Sequence, residues 1–364
     1  TVSLIMSVYL EGLNLHNYRN FKELKLAFNN NIVVILGENG SGKTNILESI
    51  SLLSPGRGLK GAKYDEMAYN YNGSWSSSIY LKSKIGKALV ASTYALSNNL
   101  RTIEYNGSKI RNTELTTLAN IIWLTPQMDG IFLSSPSERR RFLDRIVYNF
   151  YQEHASNINK YEHLARERLK LLMQNNSNLN DSWLKILETK TADITLKIIK
   201  LRSNVINFVQ GYIDIVDAPF PKAQLEVNHL FGKEIEDEEF LETYSTYLYK
   251  NRQKDRITKR TNLGINKQEL IVKHKEKDQF AKFCSTGEQK ALLISILIGQ
   301  IEANKAIAKT TPILLLDELF VHLDDKRKDC LAQYIINSKL QTFITATDMV
   351  GLERIAAIGQ MIYI

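Results

Sequence analysis

Eight consecutive residues carry the most specific chemical pattern in the chain. Gly37-Glu38-Asn39-Gly40-Ser41-Gly42-Lys43-Thr44 matches G-x-x-x-x-G-K-[ST] at every fixed position. Gly37, Gly40 and Gly42 have no side chain to block close approach and can take positive φ. Successive backbone N–H groups of such a loop form an anion nest. A helix opening at its end adds unpaired N–H groups and the positive end of its dipole. Residues 37–44 are therefore expected to bind ATP. Lys43 is expected to reach the β- and γ-phosphates, and the Thr44 hydroxyl to ligate Mg²⁺.

Two further stretches extend this chemistry. Thr311-Pro312-Ile313-Leu314-Leu315-Leu316-Asp317-Glu318 reads as a buried strand ending in two acids. Asp317 is expected to hold Mg²⁺ and Glu318 to polarise the attacking water as general base. Cys284-Ser285-Thr286-Gly287-Glu288-Gln289 stands directly before a long apolar helix. It resembles the signature of ABC-type ATPases, in which a hydroxyl, a glycine and a helix N-terminus grip phosphate. In that superfamily the signature completes the site of a second subunit, so Ser285, Gly287 and Glu288 are expected to act in trans. The same residues also fit a capping box, Ser285 with Glu288 three residues on; both readings hold together. Gln127 occupies the place of a glutamine that contacts Mg²⁺ and the attacking water. Leu323-Asp324 matches the loop that crosses the subunit interface. The histidine usual at the end of the next strand is missing; Thr345 or Thr347 stands near that place, and His322 reads as a loop residue.

These groups need elements to position them. Residues 32–36 form a short run rich in β-branched residues, fit for a buried strand. Ile46, Leu47, Ile50 and Leu53 then fall at helical spacing, and Pro55-Gly56 ends that helix. Strands are expected at 8–15, 24–28, 79–84, 89–96, 101–110 and 121–124, with Asn106-Gly107 as a type I′ hairpin turn. The pattern then turns helical and charged over 137–172, where Arg139, Arg140, Arg141 and Arg145 crowd together. A polar loop at 175–181 separates this from a second long helical pattern, 183–212. An acidic cluster at 234–239 precedes a basic one at 250–260. Alternating α and β patterns return from Cys284 to the end. The expected architecture is α/β. An ABC-type P-loop ATPase domain is formed by both chain ends, 1–126 and 280–364, and a mostly helical second domain, 127–279, is inserted.

Composition is compatible with this. The 364 residues include 47 Lys and Arg against 39 Asp and Glu, a net charge of +8 that suits a polyanionic partner. Two distant cysteines, Cys284 and Cys330, suit a reducing cytoplasm and read as small buried residues. No apolar run approaches the roughly 20 residues of a membrane span, and the first 15 residues lack the pattern of a secretion signal.

The chain resembles the RecF family of bacterial recombination-repair ATPases over nearly its whole length. The resemblance rests on Leu15-His16-Asn17-Tyr18-Arg19-Asn20-Phe21, on residues 37–59, on Ser135-Pro136-Ser137-Glu138-Arg139-Arg140-Arg141-Phe142-Leu143-Asp144, and on the Cys284 and Asp317 stretches. It implies a head like those of the structural-maintenance ATPases, without a long coiled coil. It implies an ATP-dependent head-to-tail homodimer that clamps duplex or gapped DNA, slow DNA-stimulated hydrolysis that releases the clamp, and help to RecA loading with RecO and RecR. Arg19 would lie near the base or ribose. DNA phosphates would be met by Arg139, Arg140, Arg141, Arg252 and Arg256, giving sequence-independent, salt-sensitive binding. One departure stands out: where the family carries Gly-Pro-His-Arg before acidic residues, this chain has Gly264-Ile265-Asn266-Lys267-Gln268-Glu269. The rival readings are a transporter ATPase subunit, disfavoured by the large insert, and a non-hydrolysing ATP-switched binding module, disfavoured by Glu318.

Overall fold

The apolar run before the phosphate loop becomes the strand Ile32–Leu36 of a five-stranded parallel sheet in the computed structural model. The structure describes residues 6–71, 73–174, 180–321 and 323–364. The strand order is Gln360–Tyr363, Ile32–Leu36, Thr342–Ala346, Ile313–Asp317, Ile121–Leu124, and all pairs are parallel. The last four are buried at every residue, as strands covered on both faces must be, which is why they read as continuous apolar runs. The register sets Ala346 beside Leu36 and Thr345 beside Asp317. The C-terminal ends of three strands thus meet where the phosphate loop leaves the sheet. Both chain ends build this sheet.

A six-stranded antiparallel sheet lies alongside, ordered Phe21–Ala27, Tyr9–Tyr18, Trp75–Ser83, Gly86–Ala95, Leu100–Tyr105, Ser108–Ile110. Its last turn has Asn106 at φ 50° and Gly107 at φ 82°, the paired positive values of a type I′ hairpin.

Three features mark the helical part, and the second of them is as expected. The pattern over 137–172 is two helices, Pro136–Tyr148 and His154–Met173. The break follows from Asn149, which is buried and tied to the sheet: its Nδ2 donates to Ile121 O at 3.3 Å, and its carbonyl accepts from Asn120 Nδ2 at 3.0 Å. The second pattern is one continuous helix, Asn180–Ile215, which runs through Gly211. Third, the insert contains a small antiparallel sheet, Ala223–Val227, Leu270–His274 and Gln279–Phe280. Most of the expected polar loop, 175–179, and His322 lie outside the described residues.

One core joins these parts. Leu143 and Ile146 of the first insert helix, Val205, Val209 and Ile213 of the long helix, and Leu225 and Val272 of the small sheet belong to the same buried cluster as both large sheets. Two satellite clusters fill the outer insert, one around Tyr161, Leu187 and Ile198, the other around Phe240, Tyr244 and Leu248. The helical stretch Thr286–Ala308 is apolar enough to cross a membrane by length and composition, but it is largely buried inside the protein. Its Gly299 permits a tight crossing, since a Cβ there would lie 2.4 Å from Ile213 Cγ1 and 3.2 Å from Val209 O.

Two buried ionic networks brace the insert. Arg168 is fully buried. It donates to Glu188 Oε1 at 3.0 Å, Asp255 Oδ2 at 2.8 Å and Leu248 O at 2.7 Å. Arg202 donates to both oxygens of Asp144, at 2.8 and 2.9 Å, and to Ile265 O and Gln268 Oε1. The segment that departs from the family pattern is therefore a docking segment, held by Arg202 at Ile265 and Gln268 and by Arg139 at Glu269.

Candidate nucleotide-binding site

The helix Lys43–Ser51 opens at Gly42, whose φ of 111° lies in the region that favours glycine. Asn20 clasps the loop from the neighbouring sheet, donating from Nδ2 to Ser41 O at 2.7 Å and accepting from Asn45 Nδ2 at 2.9 Å. A Cβ on Gly42 would sit 2.4 Å from Asn20 Nδ2 and 2.5 Å from Phe21 Cζ. Gly42→Ala is therefore expected to cost about 1–2 kcal/mol in left-handed backbone strain, and to weaken nucleotide binding by displacing Asn20. Urea unfolding and a fluorescent nucleotide titration read the two effects; unchanged affinity would show that the clasp is dispensable.

Within the loop, Lys43 Nζ donates to the carbonyls of Gly37 and Glu38, both at 2.8 Å, and is almost fully buried. Ser41 Oγ is buried with no hydrogen-bond partner among the described residues, so its hydroxyl can bond a phosphate oxygen. Thr44 Oγ1 lies 2.9 and 3.1 Å from the two oxygens of Asp317. The loop and the acidic strand end, 273 residues apart in sequence, thus share one point in space.

Asp317 also accepts from Thr345 Oγ1 at 2.7 Å. Glu318 takes φ 47°, and its N–H donates to Thr345 O and Oγ1 at 3.2 and 3.1 Å. That turn swings Glu318 out of the strand direction. Thr345 is buried and committed to both acids, whereas Thr347, just past the strand and next to the loop, is exposed. Of the two candidates for the missing histidine's place, Thr345 is thereby a brace.

Arg19 is a second fixed element. It sits at φ 55° and grips buried Glu48 through Nε and Nη2, while Nη1 donates to Glu66 O at 2.7 Å. Burial opposes its charge, but the Glu48 carboxylate outweighs that and raises its pKa. Lys60 donates to Asn45 Oδ1 at 2.6 Å, and burial lowers its pKa. Glu48, Asn20 and Lys60 escaped the sequence reading. Asn20 could have been found, because it lies in the same aromatic turn as Arg19.

Gln127 follows the strand Ile121–Leu124, which pairs with the Asp317 strand, and it is exposed at that end of the sheet. Behind it, Lys290 Nζ donates to Val321 O at 2.6 Å and lies 3.8 Å from Asp129 Oδ2. One buried lysine of the signature helix thus touches the loops after Gln127 and after Glu318. Ser285 caps that helix, and Ser285, Thr286 and Gly287 are exposed. Asp324 caps the helix Asp325–Ser338, with Oδ1 accepting from Arg327 N at 2.9 Å.

The basic candidates separate. Arg139 donates to Ser134 O and pairs with Glu269. Arg252 pairs with Glu188 and Asp181. Both guanidinium groups are engaged by carboxylates of their own chain and stay partly exposed. Arg145 turns inward, 4.3 Å over the Trp123 ring. Arg140 is half-buried, and Arg141 and Arg256 are exposed.

Residues 9–362 match the family model described as RecF/RecN/SMC N terminal domain. The chain is 46% identical over 358 residues to the DNA replication and repair protein RecF of Rickettsia prowazekii (strain Madrid E), covering 98% of this chain and 99% of that one. It is 45% identical to the protein of the same name from Rickettsia canadensis (strain McKiel), with the same coverage. Among solved structures, the fold is similar to the recombination mediator protein RecF bound to ATP, with TM-score 0.83 and 24% identity over 96% of this chain and 94% of that one. It is also similar to an Smc head domain from Pyrococcus furiosus, with TM-score 0.53 and 18% identity over 95% of this chain and 92% of that one. The shared motifs and 46% identity over 98% of the chain lead to one assignment: the chain belongs to the RecF/RecN/SMC N-terminal domain family and, within it, to the RecF family.

Proposed function

We propose that this protein is an ATP-switched DNA clamp of recombinational repair, acting in the cytoplasm. ATP binding joins two copies head to tail around duplex or gapped DNA, and slow, DNA-stimulated hydrolysis opens the clamp. The observation that carries this reading is the contact of Thr44 with Asp317, joining phosphate loop and acidic strand end, in a chain whose signature Ser285 stands exposed at a helix start. Residues 1–126 and 280–364 form the ATPase domain in this reading, and 127–279 the DNA-facing insert.

The roles follow from chemistry. Backbone N–H groups of residues 37–44 and the Lys43 ammonium hold the phosphates. Arg19 attends the base or ribose. Thr44, Asp317 and Gln127 suit Mg²⁺, which takes few protein ligands. The described residues contain no group of three His, Cys, Asp or Glu that would suggest another metal. Mg²⁺ when bound neutralises phosphate charge. Glu318 accepts the proton of the attacking water. Ser285, Gly287 and Glu288 of each copy complete the partner's site, and Asp324 faces the same interface. RecO, RecR and RecA are the expected pathway partners.

Arg139, Arg140, Arg141, Arg252 and Arg256 are the DNA candidates, with Arg141 and Arg256 the exposed ones. The test is the mass in solution with and without ATP, using Glu318→Gln, together with duplex binding across a salt series. ATP should double the mass, and DNA binding should appear only then. Arg141→Glu should weaken binding uniformly across sequences and reduce the salt slope by about 1. A monomer with ATP that ignores DNA would overturn the reading.

A further inference from the structure

We infer that Lys277 is a positioning residue for the signature, making it receptive to the partner copy's γ-phosphate. The inference rests on the head-to-tail reading above and deepens it. Ser285 is engaged within its own chain. Its Oγ–H donates to Glu288 Oε2 at 2.9 Å, its N–H donates to the same oxygen at 2.9 Å, and its Oγ accepts from Glu288 N at 3.4 Å. The capping box therefore places a carboxylate beside the hydroxyl that must receive a phosphate. An uncompensated carboxylate there repels the incoming anion.

Lys277 supplies the compensation. Its ammonium forms an ion pair with the other Glu288 oxygen, Oε1. Glu288 is thus held on both oxygens, by Lys277 on one and by Ser285 on the other. Lys277 and the Ser285 donors hold the Glu288 carboxyl down at about 2, so it stays ionised and the pair is neutral as a unit. A phosphate approaching Ser285 meets a helix N-terminus rather than a net negative charge.

The origin of Lys277 gives this a second meaning. It lies in the turn Lys275–Lys277 between two strands of the insert's small sheet. That turn is fastened to the long helix, where Lys275 pairs with Asp214 at 2.7 Å, and to the start of the strand Ala223–Val227, where Glu276 Oε1 accepts from Lys222 N at 3.0 Å. The charge on the signature is therefore set by a residue that the insert carries. Displacing the small sheet withdraws Lys277 and leaves Glu288 facing the phosphate.

The test uses the full chain with Glu318→Gln and its Lys277→Met and Lys277→Arg derivatives, each at low and high salt. ATP-dependent mass and the monomer's own affinity for a fluorescent ATP analogue are measured for each. Lys277→Met should raise the ATP concentration for half-maximal dimer about tenfold, one unit charge left uncompensated at close range. The monomer's affinity should not change. Lys277→Arg should recover to within about threefold, and the Lys277→Met deficit relative to the parent should shrink at high salt, where a charge this exposed is screened; a purely structural role would not depend on salt. If the Glu318→Gln parent dimerises and Lys277→Met dimerises equally well, the inference falls and the clamp reading survives. If the parent never dimerises, both fall.

Discussion

Glu318→Gln is expected to lower ATP turnover by about 10²–10⁴-fold, the range for loss of a positioned general base, with ATP affinity retained. The backbone accounts for the size of the effect. Strand Ile313–Asp317 delivers two acids to one place, and the backbone turns between them. Asp317 continues the strand and meets Thr44 and Thr345. Glu318 sits at φ 47°, a left-handed conformation that costs a non-glycine residue about 1–2 kcal/mol. Its N–H is tied to Thr345 by two bonds that hold the turn against that cost. Backbone strain maintained at a site's edge points to a side chain whose direction matters. Glutamine keeps the shape and removes the proton acceptor, so phosphate release should collapse while nucleotide titration is unaltered. Turnover within threefold of the parent would show that another group activates the water.

Arg168→Met is expected to destabilise the protein by about 3–5 kcal/mol, the usual result of breaking a buried pair from one side. The network is closed: Arg168 and Arg252 face Glu188 and Asp255, with Asn262 donating to Asp255 Oδ1. Arg168, Glu188 and Asp255 are essentially inaccessible. Methionine fills much of the volume but leaves a buried negative charge without its counterion. Urea unfolding should show the loss, and limited proteolysis should locate it between residues 155 and 260. A variant as stable as the parent would mean that the outer insert tolerates the lost ion pair through water entry.

The parts legible in sequence are those fixed by local chemistry. The phosphate loop, the buried parallel strands and the Asn106-Gly107 turn each carry their own signal within a few residues. The break between the first two insert helices does not, because it is made by Asn149 reaching a strand that sequence places 28 residues away. Nor does the sorting of arginines into surface and interior. Helical spacing held an unused clue: Leu164, Arg168 and Leu172 fall four apart, as do Ile198, Arg202 and Ile206, and all six are buried. An arginine inside an apolar stripe points to an internal counterion rather than to DNA. The arginines at 139 and 252 lacked that clue, since their partners come from distant segments.

The crossing at Gly299 lies near one end of the long helix, so any tilt there would be magnified along its length. Its fulcrum lies at Val209 and Ile213, against the signature helix. Its far end, near Asp181, is roughly 45 Å away at 1.5 Å per residue. A tilt of about 10° at the fulcrum sweeps that end through roughly 8 Å at this arm length, more than the rise of two base pairs at about 3.4 Å each. Gly299 thus sets how closely the two helices approach, and adding a methyl group there would push them apart and shift the far tip by a distance that the arm length multiplies.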